Sequence, residues 1–365
     1  MAGYATTRHH PAQGSGKDRI TDYHTTLFRR LTWEGTVPLE IRVDSKELPA
    51  NSNRGLECYY VQAPRVSYLP LLMPEIRRYL MDVVFDEMAA GNLKEEDWWF
   101  ETEEGTLLKW HWPIGLIYDN HTISASVRAA ASHRPASQSL PLRIILHLVS
   151  PPAEKLMLAP SQEACKQAFM GQLKEADFIR WGNTKRITGL RKAEQDGIWE
   201  SIKEHNFDEY WRIASKVTPS ATPAPSVGSP GNASMHVRPP SIDAGGVPER
   251  DSAYTVRCVP VRIYLPDGPF IQELVPPLLE DGNSFIGTPH TLYHFLSTHL
   301  PLLFPPRPIP PVSSRVNPVP QSAGEMAFSL VQGVVSPPEA EVAWLGACLA
   351  GADGWLNICI GVNRP

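Results

Sequence analysis

Two histidines, His290 and His294, have the spacing in this sequence that is most typical of a metal site. Four residues apart on a helix, they share one face, and His299 lies nearby. A zinc site needs further ligands, and no Cys, Asp or Glu recurs at a matching position. The same segment already has a full apolar face, formed by Leu292, Phe295, Leu296 and Leu300. We therefore predict surface or capping histidines and no metal, and a metal hydrolase built on His290 and His294 is kept as an alternative.

Gly16 and Lys17 resemble the end of a phosphate-binding loop. That motif requires a glycine five positions before its last glycine, and a serine or threonine directly after its lysine. Pro11 and Asp18 stand at those two positions. The sequence therefore predicts no nucleotide site here, and we expect no cofactor.

His111 stands between Trp110 and Trp112, where an aromatic cluster is expected rather than a catalytic base. The five cysteines are widely separated and form no C-x-x-C motif, which argues against a disulfide framework or a zinc site. All five lie in apolar patterns typical of core residues: Cys58, Cys165, Cys258, Cys348 and Cys359. A reduced, cytoplasmic protein without catalytic residues is the expectation.

Lys174 offers a different chemistry, that of an amine that accepts an acyl group. It lies in the segment QEACKQAFMGQLKEAD, a predicted helix that Ser161 can cap. The apolar stripe of this helix consists of Cys165, Phe169, Leu173 and Ala176. At 100° per residue, Lys174 points roughly 140° away from that stripe, so it can be reached from solvent. Lys166 and Lys185 are also expected to be exposed, and geometry alone does not choose among the three.

The length, charge and hydropathy of the chain limit its domain number and its classes of partner. A chain of 365 residues is long enough for two or three domains. Its net charge of −5 gives no reason to expect nucleic acid, because nucleic-acid-binding domains carry a strongly basic face. In the apolar stretch 343–362, Asp353 and Gly354 predict a short helix, a turn and a strand rather than a membrane span.

Proline divides the chain. Seven of its 36 prolines fall in 218–253, a predicted flexible linker, and eight fall in 300–322, a predicted proline-rich loop. We also expect a disordered tail at 1–20 and a polar insertion at 120–139. The compact segments that remain are 21–150, 151–217 and 254–365.

The first and last compact segments show the same order of elements. In the first, a short helix at 23–33 precedes two strands, a helix and further strands, at 37–43, 58–62, 72–88, 98–101, 107–110 and 142–148. In the last, strands at 254–265 and 270–275 precede a helix that is expected to begin at Thr288 and Pro289. Later strands are predicted at 326–334 and 356–362. Two strands, a helix and more strands is the order of a β-grasp, or ubiquitin-like, domain.

The middle segment is predicted to be helical. Besides the helix of Lys174, it contains apolar positions at helical spacing around Trp199 and in a third stretch that opens at Asn206. We therefore predict an α+β protein with two ubiquitin-like β-grasp domains flanking a helix-rich domain, and with a short N-terminal helix.

Several stretches of the sequence carry a family resemblance in all three compact segments and in the same order. They are APRVSYL, WWFETEEGTLLKWHWPIGLIYD, FMGQLKEAD, FDEYW and VPVRIYLPDGPFIQELV. Together they resemble the autophagy protein 5 family. LKWHWPIG and the Met-x-x-x-Lys-Glu-Ala-Asp block that begins at Met170 are the most specific of these motifs.

The resemblance implies a role for Lys174, as the residue joined to the C-terminal glycine of the ubiquitin-like autophagy protein 12. Activating and conjugating enzymes of the autophagy system would form that isopeptide bond. The resemblance also implies binding of an N-terminal helix of autophagy protein 16. The conjugate would act like a ligase, promoting transfer of a second ubiquitin-like protein to phosphatidylethanolamine, peripherally at the preautophagosomal membrane.

Basic residues cluster around Lys174 in the sequence, and such a patch could contact anionic lipid. The patch consists of Lys174, Arg180, Lys185, Arg186, Arg191 and Lys192. A solvated helix face is the simpler interpretation. An unconjugated adaptor, whose β-grasp domains only bind partners, is the alternative to the conjugated scaffold.

Overall fold

The computed structural model of the protein describes most of the chain. The described residues are 16–49, 58–85, 93–131, 141–158, 160–221, 251–266, 268–279, 287–306 and 326–363. The predictions for a tail at 1–15, for most of the linker (222–250) and for most of the proline-rich loop (307–325) therefore lie outside the described residues.

The first β-grasp domain is built on a four-stranded sheet. Its strands are β1 (Thr36–Val43), β2 (Cys58–Pro64), β3 (Trp99–Thr102) and β4 (Leu142–His147). The spatial order is β2-β1-β4-β3, with β1 and β4 parallel and the outer pairs antiparallel. Helix α2 (Leu69–Val83) buries Leu69, Ile76 and Leu80 against this sheet. A predicted strand at 107–110 is wrong, since in that range only Leu107 forms a bridge, to Glu101.

A long helix, α3 (Ile114–Ala131), replaces the first part of the insertion predicted at 120–139. The polar residues Asn120, His121 and Thr122 open the predicted insertion, but buried Ile117 and Ile123 lie on either side of them. Helix α3 contacts β1 and β2 of the first sheet and β11 of the second. Tertiary packing on two sheets therefore stabilises a helix that its central polar residues do not favour.

The second β-grasp domain repeats this topology. Its strands are β5 (Val259–Tyr264), β6 (Ile271–Val275), β7 (Leu278–Leu279), β8 (Thr288–Pro289), β9 (Ala327–Val331), β10 (Val334–Val335) and β11 (Leu356–Val362). The main sheet has the order β10-β9-β11-β5-β6, with β11 and β5 parallel. Two helices lie between its strands, α8 (Leu292–His299) and α9 (Val342–Cys348).

In the second domain, the predicted start of the first helix is wrong and the prediction for the last apolar stretch is confirmed. The helix expected to begin at Thr288 and Pro289 begins at Leu292, because Thr291 provides the cap: its Oγ1 accepts from the His294 backbone N–H at 3.2 Å. Thr288 and Pro289 instead form the short strand β8. The apolar stretch 343–362 forms a helix, a turn and a strand, as predicted. No described helix is long and apolar enough to cross a membrane.

The helix-rich domain consists of four helices between the two β-grasp domains. They are α4 (Gln162–Trp181), α5 (Lys185–Thr188), α6 (Lys192–Lys203) and α7 (Phe207–Ala214). Helix α1 (Gly16–Glu34) begins inside the predicted tail, and its last turn contains Trp33, which is buried against Phe207 and Tyr210. The N-terminal helix is therefore part of the helical core. Two β-grasp domains with a helical domain between them confirm the predicted fold.

One tryptophan side chain and one ion pair join the two β-grasp domains. The Trp112 ring lies edge-on to Tyr264 of β5, with ring centroids 5.0 Å apart. Arg65 forms a largely buried ion pair with Asp119 of α3, next to Gly333 of the second domain. The conspicuous LKWHWPIG motif therefore lies at the boundary between the domains.

Gly354 generates a test of how the second domain packs on α4. Its φ is +84°, and a Cβ placed there would lie 3.0 Å from the Ala176 side chain. We expect Gly354→Ala to lower the free energy of unfolding by about 2 kcal/mol in urea titration, because an L-residue is strained in this conformation. Gly171 on α4 is the matched control, since a Cβ there meets nothing within 4 Å. Gly171→Ala should raise stability by about 1 kcal/mol, and equal effects of the two substitutions would contradict this packing.

Candidate functional site

Lys174 lies on the exposed side of α4, a helix with defined ends. Ser161 Oγ accepts from the Ala164 backbone N–H at 3.0 Å, and Gly182 ends the helix with a φ of 73°. Phe169 and Leu173 are buried, at 1% and 7% exposure. The Lys174 side chain is exposed, as the helical geometry predicts.

The three residues that follow Lys174 all fasten α4 to its surroundings. Glu175 lies 3.5 Å from the Arg262 guanidinium of β5. Ala176 is fully buried at the approach of Gly354. Asp177 is buried, and its Oδ2 accepts from the Ile187 N–H of α5 at 3.2 Å. The Lys-Glu-Ala-Asp motif therefore combines one free amine with three structural residues.

Arg262 fixes α4 against the second β-grasp domain. Its guanidinium lies 3.8 Å from the centroid of the buried Trp355 ring and donates to Gln172 Oε1 at 2.8 Å. The Trp355 indole N–H donates to the Gln172 carbonyl at 3.2 Å. His111 lies close to the same cation: burial, together with the charges of Lys109 and Arg262, lowers its pKa to about 4. As predicted, His111 contacts an aromatic ring, with its centroid 5.6 Å from that of Trp110.

Lys166 and Lys185, the other two lysines expected to be exposed, differ from each other in exposure and pairing. Lys166 is half-buried and donates to Asp196 at 2.8 Å, so the expectation that it is exposed was wrong. Lys185 is exposed at the start of α5. In the part of the chain that the structure describes, neither Lys174 nor Lys185 makes a side-chain hydrogen bond or an ion pair. Of the three candidate acceptors, Lys166 is therefore paired, whereas Lys174 and Lys185 have free amines.

An exposed aromatic side chain lies next to Lys174 on the surface of α4. Phe178, one turn further along α4, is 55% exposed. Gly171, one turn before, has open space on its side-chain position. Residues three and four apart share a helix face, so the three residues form one exposed row. A partner protein could approach the amine along this row without displacing any side chain of α4.

The basic patch predicted around Lys174 is smaller than the sequence suggests. Arg180 is buried and donates to the Gly354 carbonyl, and burial lowers its pKa to about 10. The negative charges of Asp177 and Asp353 act in the opposite direction and raise that pKa. Arg186 pairs with Asp251 and stacks on a tryptophan ring. Arg180 therefore has a structural role. The prediction that it belongs to a basic patch facing lipid is wrong.

The histidines considered as an alternative metal site do not bring three ligand atoms together in the described structure. His290 is buried rather than on the surface, with its Nδ1 3.1 Å from the Pro276 carbonyl and its Nε2 3.2 Å from His294 Nδ1. His299 pairs with Glu273 at 3.4 Å. Among the described residues, three possible metal-ligand atoms converge only at Asp44, Glu47 and His147, which the sequence did not single out.

The cysteines are free in the structure. Cys165, Cys348 and Cys359 are buried as predicted, whereas Cys58 and Cys258 are only partly buried. Burial raises the pKa of Cys165 to about 12 and that of Cys348 to about 11. A thiol with a raised pKa is a poor nucleophile at neutral pH, so these two cysteines fit a core role.

Three models of one protein family match the chain. They are described as the UblA domain, the alpha-helical bundle region and the UblB domain of autophagy protein ATG5, and they match residues 32–148, 162–220 and 258–360. These segments agree with the first sheet, the helical domain and the second sheet of the structure.

Two relatives and a solved structure agree with these matches. Autophagy protein 5 of Penicillium rubens is 27% identical over 356 residues, which covers 91% of this chain and 96% of the relative. Autophagy protein 5 of Aspergillus terreus is 28% identical over 362 residues, covering 93% and 98%. The crystal structure of Kluyveromyces marxianus Atg5 superposes with a TM-score of 0.61 at 17% identity, covering 92% of this chain and 99% of that one. At this identity the superposition supports the fold alone.

The buried position of Arg180 predicts a large difference from its neighbour Arg186. Arg180→Met keeps the length of the side chain but leaves the Gly354 carbonyl and Asp177 without their cationic partner. We expect a loss of roughly 3 kcal/mol in the free energy of unfolding, measured in urea. Arg186→Met breaks a partly exposed pair with Asp251 and should cost under about 1 kcal/mol. Equal losses would show that Arg180 is not a buried anchor.

Proposed function

Because this chain belongs to the autophagy protein 5 family, we propose that it is a non-catalytic scaffold of autophagy that is joined covalently to autophagy protein 12 through Lys174. One feature of the helix supports this role above all. Lys174 presents an exposed, unpaired amine on a helix whose adjacent residues Glu175, Ala176 and Asp177 are engaged in packing.

The chemistry asked of Lys174 is acceptance of an acyl group. The modifier arrives as a thioester between its C-terminal glycine and a cysteine of the conjugating enzyme. The neutral amine attacks the thioester carbonyl, the new C–N bond forms, and the C–S bond breaks to release the thiol. The amine's surplus proton leaves to a base of the conjugating enzyme. This chain supplies only the nucleophile, so it needs no catalytic group of its own.

Helix α1 supports binding of a helical partner. Leu27 and Leu31 on α1 are four residues apart and 39% and 56% exposed. Apolar residues at this spacing form one face, which suits an amphipathic helix that packs by its own apolar stripe. On our proposal this surface contributes to binding of the N-terminal helix of autophagy protein 16.

The conjugate then acts like a ligase without forming a covalent intermediate on this chain. It holds the enzyme that carries a second ubiquitin-like protein close to phosphatidylethanolamine, peripherally at the preautophagosomal membrane. Proximity alone can provide large rate increases when both reactants are held in one assembly. The alternative function is that of an unconjugated adaptor, in which the β-grasp domains bind partners and Lys174 is an ordinary surface residue.

Lys174→Arg tests the acceptor directly. Arginine keeps the positive charge and similar length, but its guanidinium does not become a neutral nucleophile. We expect the covalent adduct to disappear when the variant is co-expressed with the conjugation machinery, as measured by intact mass. The melting temperature should stay unchanged, because the exposed Lys174 side chain makes no hydrogen bond or ion pair in the described structure that arginine would remove.

Lys185→Arg is the matched control, since Lys185 is also exposed and unpaired and lies only eleven residues away. It should give the wild-type yield of adduct. An adduct of unchanged mass and yield from Lys174→Arg would refute the acceptor assignment. Loss of the adduct with wild-type autophagy would favour the unconjugated adaptor.

Phe178 provides a second test that leaves the acceptor amine in place. If the conjugating enzyme or its bound modifier covers the exposed row on α4, Phe178→Ala removes apolar contact area beside Lys174. We expect the initial rate of adduct formation to fall about tenfold, equivalent to about 1.4 kcal/mol. Leu302→Ala, at a residue 85% exposed on the second β-grasp domain, should leave the rate unchanged. Equal rates for both variants and wild type would remove Phe178 from the contact surface.

A further inference from the structure

The parallel pairing of β1 and β4 brings two metal-ligating residues to one edge of the first sheet. Because the strands run in the same direction, the residues that follow β1 lie beside the end of β4. Asp44 directly follows β1 and its backbone N–H donates to the Leu146 carbonyl at 3.0 Å. His147 is the last residue of β4. Glu47 comes from the turn after Asp44, so three possible ligands meet at this edge.

The His147 ring is held in one orientation by both neighbouring elements. It stacks on Trp99, its register partner on β3, with centroids 3.8 Å apart and an interplanar angle of 9°. Its Nε2 lies 3.1 Å from Glu101 Oε1. Its Nδ1 lies 3.4 Å from Asp44 Oδ2 and 3.3 Å from Glu47 Oε1. One ring nitrogen thus faces a single carboxylate, and the other faces two.

The charges at this edge do not balance. The side chains of Asp44, Glu47 and Glu101 are only 22%, 16% and 21% exposed. Within the described part of the chain, no lysine or arginine makes an ion pair with any of the three. Even a protonated His147 leaves two negative charges in excess. Because withdrawing charges from water is costly unless they are compensated, this edge favours a further cation.

The surrounding hydrogen bonds match those of a built metal site. Glu101 can accept the Nε2 proton of His147, which leaves the Nδ1 lone pair directed toward Asp44 and Glu47. The carboxylate-histidine pairing beside a metal is a common outer-shell arrangement. Glu47 is oriented too, since its Oε2 accepts the Leu148 backbone N–H while its Oε1 faces the imidazole.

We propose that Asp44, Glu47 and His147 bind a divalent cation of the zinc class. One imidazole nitrogen and two carboxylate oxygens are a ligand set that zinc accepts, with water as the fourth ligand. The ligand atoms lie within 4.8 Å of one another, so a small ion between them requires only minor side-chain movement. The bound ion neutralises the carboxylates and fastens the turn after β1 to the end of β4. Any proton on Nδ1 is released to solvent as the metal binds.

Metal titration of the full chain tests this site. Chelator-treated protein is titrated with zinc chloride in a calorimeter, and with cobalt chloride while the visible absorption of four-coordinate cobalt is recorded. We expect one equivalent of saturable binding and a rise in melting temperature on adding zinc. Asp44→Asn keeps the shape but removes a charged ligand, so it should abolish the cobalt bands. Glu101→Gln weakens the outer shell and should reduce zinc affinity about 10- to 100-fold.

His299→Gln is the matched control, because His299 faces a single carboxylate, Glu273. It should bind zinc like the wild type. Each variant is compared in the metal-free state as well, so that a lower melting temperature there separates misfolding from loss of a ligand. Absence of stoichiometric binding to the wild type overturns the proposal. So does binding that survives unchanged in both Asp44→Asn and Glu101→Gln, since the metal then lies elsewhere.

Discussion

The position of α4 depends on Arg262, which reaches from the second sheet to the helical domain. Its guanidinium lies on Trp355, donates to Gln172 and faces Glu175, so one side chain joins three contacts. Arginine suits this place because its planar cation can stack on a ring and donate within its plane at the same time. With α4 fixed on that side and its apolar stripe buried in the helical core, one face stays open, and that face carries Lys174.

The β-grasp topology imposes a second constraint. Parallel strands cannot be joined by a tight turn, so a long connection must cross from β1 to β4. In the first domain this connection includes α3, which also packs on β11 of the second domain. The same crossover that completes one domain therefore docks the other, with Arg65 and Asp119 paired at the boundary. The parallel strands also explain why Asp44 and His147, far apart in sequence, meet at one edge.

Local pattern predicted those elements whose signal lies within a few residues. Ser161 accepts the capping hydrogen bond expected of it, a helix begins next to Asn206 as predicted, and the fold class followed from strand and helix order. The misses have another origin. Helix α3 is stabilised by two sheets that are distant in sequence, and Arg180 is buried where Asp177 of its own helix and Asp353 of the other domain both compensate its charge. His147 was missed for the same reason: its carboxylate partners come from other strands and turns.

The suitability of a lysine as an acceptor depends more on the residues around it than on the amine itself. Lys166, on the same helix, is held by Asp196, and that hydrogen bond raises its pKa and so reduces its neutral, nucleophilic form. Lys185 is free, but it belongs to a helix of four residues. Lys174 lies within a helix of 20 residues that is held by Arg262 on one side and packs into the helical core on the other. An amine on a rigid support loses less conformational freedom when an enzyme holds it at a thioester, so rigidity and freedom from pairing together favour Lys174.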